Sequence, residues 1–537
     1  MQAWRVWAAT AAVAAAVGVV VVIIAVSADV RFFGDSDTEL TTSPASVPLT
    51  PATTPATTTT ATPSPDPTPA PTPIATPSPA PTPTPIPTPT PYPGWVDPAT
   101  AGQPYGSVTG LLTFRGNPTR TFYGTGPAPR APEVLWRFTG TPERDLCSLT
   151  TWAAGTTLWC GAGWTGQPAV VEWDDRTWVV AGMYTPAVHF LDAATGEQIL
   201  PEFLVGDLIK GSVTVDPDGY PLVYFGSRDN EFRIIAFDRD EPVELWSLHA
   251  NSVSPVLWND DWDGAALVLN DYLFQGGENS HLHIAKLNRR YGPDGLVTVD
   301  PELVFTAPGW DSELLDAVVD GNVSIEGGMT VVGNTLYFAN SGGLVQGWDI
   351  SGLADGQDPE RVFRYWAGDD VDATVVADAD GFLYVGVEYE RANTRSQELG
   401  QMLKLDPSAD DPLVWGTDLR NAFPDGVWAT PALTDAMVYV PTNAGFLYGL
   451  SRGTGEIIWS KRLAAPVWSS PVVVDDVLIQ GDCGGVIYGY DISDPSVEPP
   501  ELWRISLGGC VEATPAVWNG VVYVADRVGG FYAFGDR

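Results

Sequence analysis

Lys210, Glu326, Asp372, Trp428, Trp468 and Glu512 stand at one phase of a recurring pattern, three residues before the small or Pro position of successive short apolar runs. Thr165 and Ser252 complete the series. A cation, three carboxylates and two indoles make a donor set suited to a polar small molecule or a metal ion. A second phase adds Arg228, Asp229, Glu278, Asn279, Asn340, Glu388, Asn443, Asp482, Asp526 and Arg527. The plainer reading of both sets is a wet, polar rim with no ligand. Asn259, Asp261 and Asp263, followed by Gly264, put oxygens at positions 1, 3 and 5 and Gly at 6, as calcium loops do. Position 12 is Asn270 rather than Glu, so a β-hairpin turn is the expectation and a metal loop the alternative. Asp216-Pro217-Asp218-Gly219 and Asp378-Ala379-Asp380-Gly381 read as tight turns. His281 and His283 share one side of a strand and could chelate, but no Cys lies near them, and a structural role is expected. No GxSxG, HExxH or phosphate-binding Gly loop occurs, so hydrolase and nucleotide chemistry have no support.

The elements that must position these residues recur eight times. A β-rich run ending in a polar turn reads AVHFLD at 187–192, RIIAFD at 233–238, HIAKLN at 283–288, LVQGWD at 344–349, QMLKLD at 401–406, FLYGLS at 446–451, VIYGYD at 486–491 and FYAFGD at 531–536. Such spacing signals a radial or stacked repeat. Runs leading to a bulky hydrophobe at Leu200, Trp246, Phe305, Phe363, Trp415, Trp459 and Trp503 follow the first seven copies, and one at Trp136 precedes them all. Small-to-aliphatic runs begin at Gln167, Gly211, Ser254, Gly327, Ala373, Thr430, Ser470 and Thr514, each followed by a further strand such as DYLFQGGEN or FLYVGVEYE. Four strands in each of eight units, with no long amphipathic helix, predict an all-β, eight-bladed β-propeller of four-stranded blades. The strand near Trp136 is expected to close the last blade and so remove the open sheet edges. In that fold the connections leading into the inner strands and those from second to third strands open on one face, which gathers both sets of polar residues into a funnel.

Residues 6–28 carry no charge, and a helix over them would be about 35 Å long at 1.5 Å per residue, enough to span a bilayer. Arg5 before it and four acids soon after it put the C-terminal bulk outside the cytoplasm. A cleaved signal peptide is the alternative, since Val26-Ser27-Ala28 suits a signal peptidase. Residues 41–93 hold 19 prolines in 53 positions, a composition that stays extended as a polyproline stalk and fits O-glycosylation. The expected layout is a short cytoplasmic N-terminus (1–5), a single transmembrane anchor (6–28), a disordered Pro/Thr-rich stalk (29–93), a lead-in (94–134) and the propeller (135–537). Of the net charge of −39, residues 1–93 carry −3, two Arg against five acids, which leaves −36 on residues 94–537. That excess of acid excludes a nucleic-acid partner.

The run FRGNPTRTFYGTGP at 114–127, the TGEIIW step at 454–459 and the repeating order of inner strand, YV-G, aliphatic-aromatic-D and TG-x-x-x-W resemble the pyrroloquinoline-quinone (PQQ) type of eight-bladed propeller. That family holds quinoprotein alcohol dehydrogenases and a non-enzymatic lipoprotein of outer-membrane protein assembly. The resemblance covers about residues 107–537, and the anchor and stalk resemble those of bacterial surface proteins. For an enzyme it implies PQQ and Ca²⁺, with Lys210 and Arg228 pairing with quinone carboxylates, Trp468 as the floor, Trp428 as a second stacking candidate, Glu326, Glu512 or Asp372 as calcium ligands and Asp372 as base. The adjacent Cys-Cys clamp of such enzymes is absent. The expected function is therefore a non-catalytic binding or scaffolding module, single-pass in a bacterial cytoplasmic membrane, that meets a protein, glycan or small ligand outside the cell. A PQQ- and calcium-dependent alcohol or sugar dehydrogenase is the alternative. Cys483 and Cys510 fall in neighbouring funnel loops and are expected to bridge blades 7 and 8; Cys147 and Cys160 are expected to close a local loop.

Overall fold

A computed structural model describes residues 92–152, 155–163 and 166–537, and residues 90–537 make one compact unit. The anchor over 6–28, the stalk up to residue 91 and Thr165 lie outside the described residues. Among the described residues no helix is long and apolar enough to cross a membrane.

Eight sheets hold four antiparallel strands each, in sequence order from inside outward in blades 1 to 7, with an added inner strand in the first and, paired in parallel, in the last. Blade 7 shows the pattern: Val472–Val474, Val477–Gly481, Val486–Asp491 and Glu501–Ser506. All eight repeat runs form third strands, from Ala187–Asp192 in blade 1 to Phe531–Gly535 in blade 8. In blades 1, 4, 5 and 7 the terminal acid caps the turn to the fourth strand: Asp491 Oδ1 accepts the Ser493 N–H at 3.0 Å, and Asp192 Oδ1 accepts that of Ala194 at 2.9 Å. Asp216 and Asp378 likewise hold turns, each accepting N–H groups two and four residues on. The strand Glu133–Phe138 pairs antiparallel with Phe531–Gly535, so the N-terminal side of the unit supplies the outer strand of blade 8 and closes the ring.

One strand is misplaced by the sequence reading. The inner strand of blade 3 is Leu267–Leu269, not the run from Ser254 to Trp258. An innermost strand is covered on both faces, so its residues must suit burial. Ala265 to Leu269 meets that demand and is buried throughout, whereas Trp258 is 43% exposed on a surface connection. The segment 259–264 is accordingly the lead into that inner strand rather than a hairpin turn, and the position equivalent to Glu326 is Asp263 rather than Ser252.

The inner strands are tied to one another by a belt of hydroxyls. Ser212, Thr374, Thr430 and Ser470 each accept an N–H from the preceding blade, from Gln167, Gly328, Thr374 and Thr430, at 2.8–3.0 Å. Beyond the belt the axis is plugged by the lead-in. Leu112, Pro118 and Thr119 carbonyls accept from Val215, Val331 and Ala377 of blades 2, 4 and 5, and the Tyr123 hydroxyl accepts from Leu433 of blade 6. Arg115 and Arg120 are fully buried there. Arg115 donates to the Thr430 carbonyl, and Arg120 to the carbonyls of Met329 and Phe114 at 2.8 and 2.7 Å. The FRGNPTRTFYG run thus fills the axis, its guanidiniums anchored by carbonyls beside the inner strands and of the run itself, while Arg115 Nε and Nη1 and Arg120 Nη2 are buried without a hydrogen-bond partner.

Candidate functional site

On the other side of the belt lies the funnel, and one backbone hydrogen bond sets its register. In each of blades 2 to 8 the residue just past the second strand donates its N–H to a carbonyl two positions before the funnel residue. The pairs are Arg228 to Leu208, Glu278 to Asp261, Ser341 to Ser324, Glu388 to Asp370, Asn443 to Gly426, Cys483 to Pro466 and Arg527 to Cys510, at 2.8–3.1 Å. Equivalent side chains can therefore be compared blade by blade.

Blades 2 and 3 bring Lys210, Arg228 and Glu278 together with Asp261 and Asp263. Lys210 Nζ lies 2.6 Å from Asp263 Oδ2, 3.0 Å from Glu278 Oε1 and 3.2 Å from Asp261 Oδ2. Arg228 Nε sits 3.0 Å from the same Asp261 oxygen, and Asn259 donates to Glu278 Oε2 at 2.8 Å. Burial works against the Lys210 charge, but Asp263, Glu278 and Asp261 outweigh it and hold its pKa well above the usual range. The oxygens read as calcium-loop positions 3 and 5 thus close on an ammonium, and position 1 presents an N–H to Glu278.

At blades 4 and 5, Ser341 Oγ lies within hydrogen-bond distance of both Asp372 Oδ1 (2.8 Å) and Glu326 Oε1 (3.3 Å), and Ser324 donates to the latter at 2.6 Å. Asp370, Asp372 and Glu388 form a second carboxylate triad, with Asn443 donating to Glu388 at 2.9 Å. Burial first, then repulsion from one another and from Glu390, pushes the pKa of Glu326, Asp370, Asp372 and Glu388 well above the carboxylate range, for Asp370 against the pull of Arg391. Trp428 and Trp468 meet edge to face, 5.4 Å between centroids at 73°. Glu512 pairs with Arg527, whose guanidinium lies over Trp159 and Tyr184. Asp482 and Asp526 instead brace turns and accept from Tyr488 and Tyr532 hydroxyls, and Asn340 donates to the Gly309 carbonyl. His283 is kept neutral by burial, its pKa drawn down to about 3, and His281 bonds the Asn279 carbonyl, in keeping with a structural pair. The sequence reading missed Asp370 and Ser324, although the repeated Asp-x-Asp at 261–263 and 370–372 was there to be aligned.

Both expected disulfides are present. Cys483 and Cys510 occupy the blade 7 and 8 positions that Arg228 and Asp261 hold in blades 2 and 3, so a covalent bond replaces an ion pair at the same seam. Replacing both by Ser is expected to remove about 3.5 kcal/mol, the chain-entropy value for a loop of roughly 27 residues. The urea midpoint with and without the substitutions measures it. Thiol labelling of the unreduced protein should find none reactive, and labelling after denaturation and reduction should find four.

The Cys147–Cys160 bond closes the base of a β-ribbon, Cys147–Trp152 paired with Gly155–Cys160, on the connection into blade 1. Its inner side faces the funnel rim: Ser148 donates to the Tyr184 carbonyl, Trp159 packs edge-on to Tyr184, and Thr150 accepts from Arg228 at 2.8 Å and bonds Asp207. Its outer side carries Leu149 opposite Leu158, 70% and 59% exposed. A cavity of 560 Å³, lined by Tyr220, Arg289 and Tyr291 among others, opens at the turns on the opposite face, away from these groups.

With this geometry in place, comparison with known proteins defines the class. Residues 400–498 match the family model described as outer membrane protein assembly factor BamB. The solved quinohemoprotein alcohol dehydrogenase from Comamonas testosteroni is similar at 15% identity and a TM-score of 0.51, covering 79% of this chain and 80% of its own. A europium-containing methanol dehydrogenase is similar at 14% identity and a TM-score of 0.51, covering 80% of this chain and 98% of its own. No curated protein sequence matches the chain. The structure is an eight-bladed β-propeller, and likeness at these identities establishes the fold alone, with the family match confined to residues 400–498.

Proposed function

We propose that the protein is a non-catalytic binding propeller, anchored by residues 6–28, carried on the stalk outside the cytoplasm, and docking a protein partner through the ribbon over its funnel. The observation that carries this reading is the Leu149–Leu158 pair, apolar, exposed and held on a disulfide-closed ribbon. A contiguous apolar pair on so acidic a body suits a protein surface with an apolar centre and a basic surround. The two disulfides, with no free cysteine, support an oxidising compartment.

The residues do not fit PQQ. Lys210 and Arg228, the cations assigned to its carboxylates, are already engaged by Asp261, Asp263 and Glu278. Trp428 and Trp468 cross at 73° instead of offering one plane, and the disulfide joins blades 27 residues apart in sequence in place of an adjacent-cysteine clamp. The full chain incubated with PQQ and Ca²⁺ is expected to retain no quinone on dialysis and to oxidise neither alcohols nor sugars with a dye acceptor. Stoichiometric quinone with turnover would overturn the reading. A photo-crosslinker at position 149 should trap one protein partner in intact cells, and Leu158→Asp should cut the adduct at least tenfold while leaving the melting temperature unchanged.

A further inference from the structure

We propose that the face opposite the funnel carries a carbohydrate site, a platform for one neutral pyranose ring of an oligosaccharide, built around Tyr220 and Tyr291 where blades 2 and 3 meet. The inference is independent of the docking proposal, which uses the other face.

An insertion makes the site. Between the third and fourth strands of blade 3 the chain forms an extra ribbon, Arg290–Tyr291 paired with Val297–Thr298. Among the described residues no other blade has a ribbon at that connection. It leans on blade 2, where Asp238 Oδ2 accepts the Val297 N–H at 2.6 Å and Arg239 donates to the Val297 carbonyl at 2.8 Å. That attachment sets Tyr291 against Tyr220 of the blade 2 turn, with ring centroids 5.5 Å apart and planes at 29°. The Arg289 guanidinium in turn lies 5.0 Å from the Tyr220 centroid. Tyr291 is nevertheless 55% exposed. A pyranose ring has apolar C–H faces and hydroxyls round its edge, so it packs on an aromatic face that is held in place, open to solvent and bordered by polar groups.

The polar groups are fixed beside the rings. Arg289, its side chain 3% exposed, donates to Asp216 and Asp218 at 2.7 Å and to Asp271 at 2.8 Å. One guanidinium thereby orients three carboxylates and offsets part of their charge. The Asp218 and Asp271 side chains remain 43% and 33% exposed. With Asn270 and the two tyrosines they line the 560 Å³ cavity, which falls in the size range of small-molecule sites. A carboxylate oxygen accepts more than one hydrogen bond, so both acids keep capacity for sugar hydroxyls, and the Asn270 amide both donates and accepts.

An organic cation is the other ligand that tyrosines and carboxylates suit, and the geometry disfavours it. A cation cage turns several ring faces toward one point. Here the two rings stack on each other and present a flat platform, and the carboxylates already hold a cation in Arg289.

The test is calorimetric titration of the full chain with neutral hexasaccharides of glucose, of mannose and of N-acetylglucosamine, and separately with choline. At least one hexasaccharide is expected to bind, one per chain. Tyr291→Ala should weaken that binding at least tenfold, as loss of an aromatic anchor does. Tyr291→Phe keeps the ring and should leave the affinity within threefold of the parent. Neither change should move the melting temperature, because the ring lies on an exposed ribbon. Asp218→Asn, at the surface of the cavity, should weaken binding as well and gives a second reading if Tyr291→Ala disturbs the ribbon. Leu158→Asp, on the opposite face, should leave sugar binding unchanged. Binding of none of the hexasaccharides, binding unmoved by both Tyr291→Ala and Asp218→Asn, or Tyr291-dependent binding of choline alone would overturn the site.

Discussion

Lys210→Met is expected to destabilise the protein by about 3–5 kcal/mol, the range for removing one partner of a buried ion cluster. The methionine conserves the side-chain volume, so the loss reports charge rather than packing. Asp261, Asp263 and Glu278 would be left facing one another with only Arg228 at the edge. Burial already pushes Glu278 up to about 7 and Asp261 up to about 6 against the pull of Lys210. Both pKa values are higher folded than unfolded, so their contribution to stability is present in acid and falls as pH rises through the folded values. Without the ammonium the folded values climb further. The deficit of Lys210→Met should accordingly be small near pH 5 and widen above pH 7, read from urea midpoints across that range. A deficit independent of pH would mean that Lys210 acts as a spacer.

Trp136→Ala should cost about 3–5 kcal/mol, the range for truncating a buried aromatic to alanine. Its ring lies against Tyr523 and Phe531 of blade 8, its indole N–H donates to the Ala193 carbonyl of blade 1 at 2.9 Å, and Gly196 leaves room for the ring where a Cβ would stand 2.7 Å away. Trp136 is thus where the closing strand grips both ends of the ring. Loosening it exposes the edge of Phe531–Gly535, so aggregation should accompany the lower melting temperature. Light scattering during thermal unfolding checks this. Trp258→Ala, at the exposed tryptophan the sequence reading placed in an inner strand, should change stability by less than about 0.5 kcal/mol, the range for surface changes.

The repeat architecture was readable because a four-stranded blade imposes its pattern locally: alternation in the third strand, a turn acid such as Asp491, and a bulky residue such as Trp503 that packs on the neighbouring blade. The closing role of Trp136 followed from phase alone, since one outer strand precedes every repeat. Blade 3 broke the reading because Ser254 to Trp258 has the composition of an inner strand. Whether a strand is covered on both faces is a tertiary fact, and it selects Leu267–Leu269. That error displaced Asp263 from the funnel to an imagined turn and hid its likeness to Asp372.

From its residues alone the chain is an acidic eight-bladed propeller with candidate charges at two known phases and cysteines at a seam, because strand period, turn chemistry and repeat phase are short-range properties written in order along the chain. The sequence could not say which charges neutralise one another. Lys210 and Glu278 are 68 residues apart, and only closure of the ring sets the ammonium of one blade against the carboxylates of the next. The same closure meets the blade 5 triad with Glu326. Pairing across blades is a matter of distances of 3 Å that no local pattern encodes, and it sets one group of similar acids against an ammonium and another against a further carboxylate.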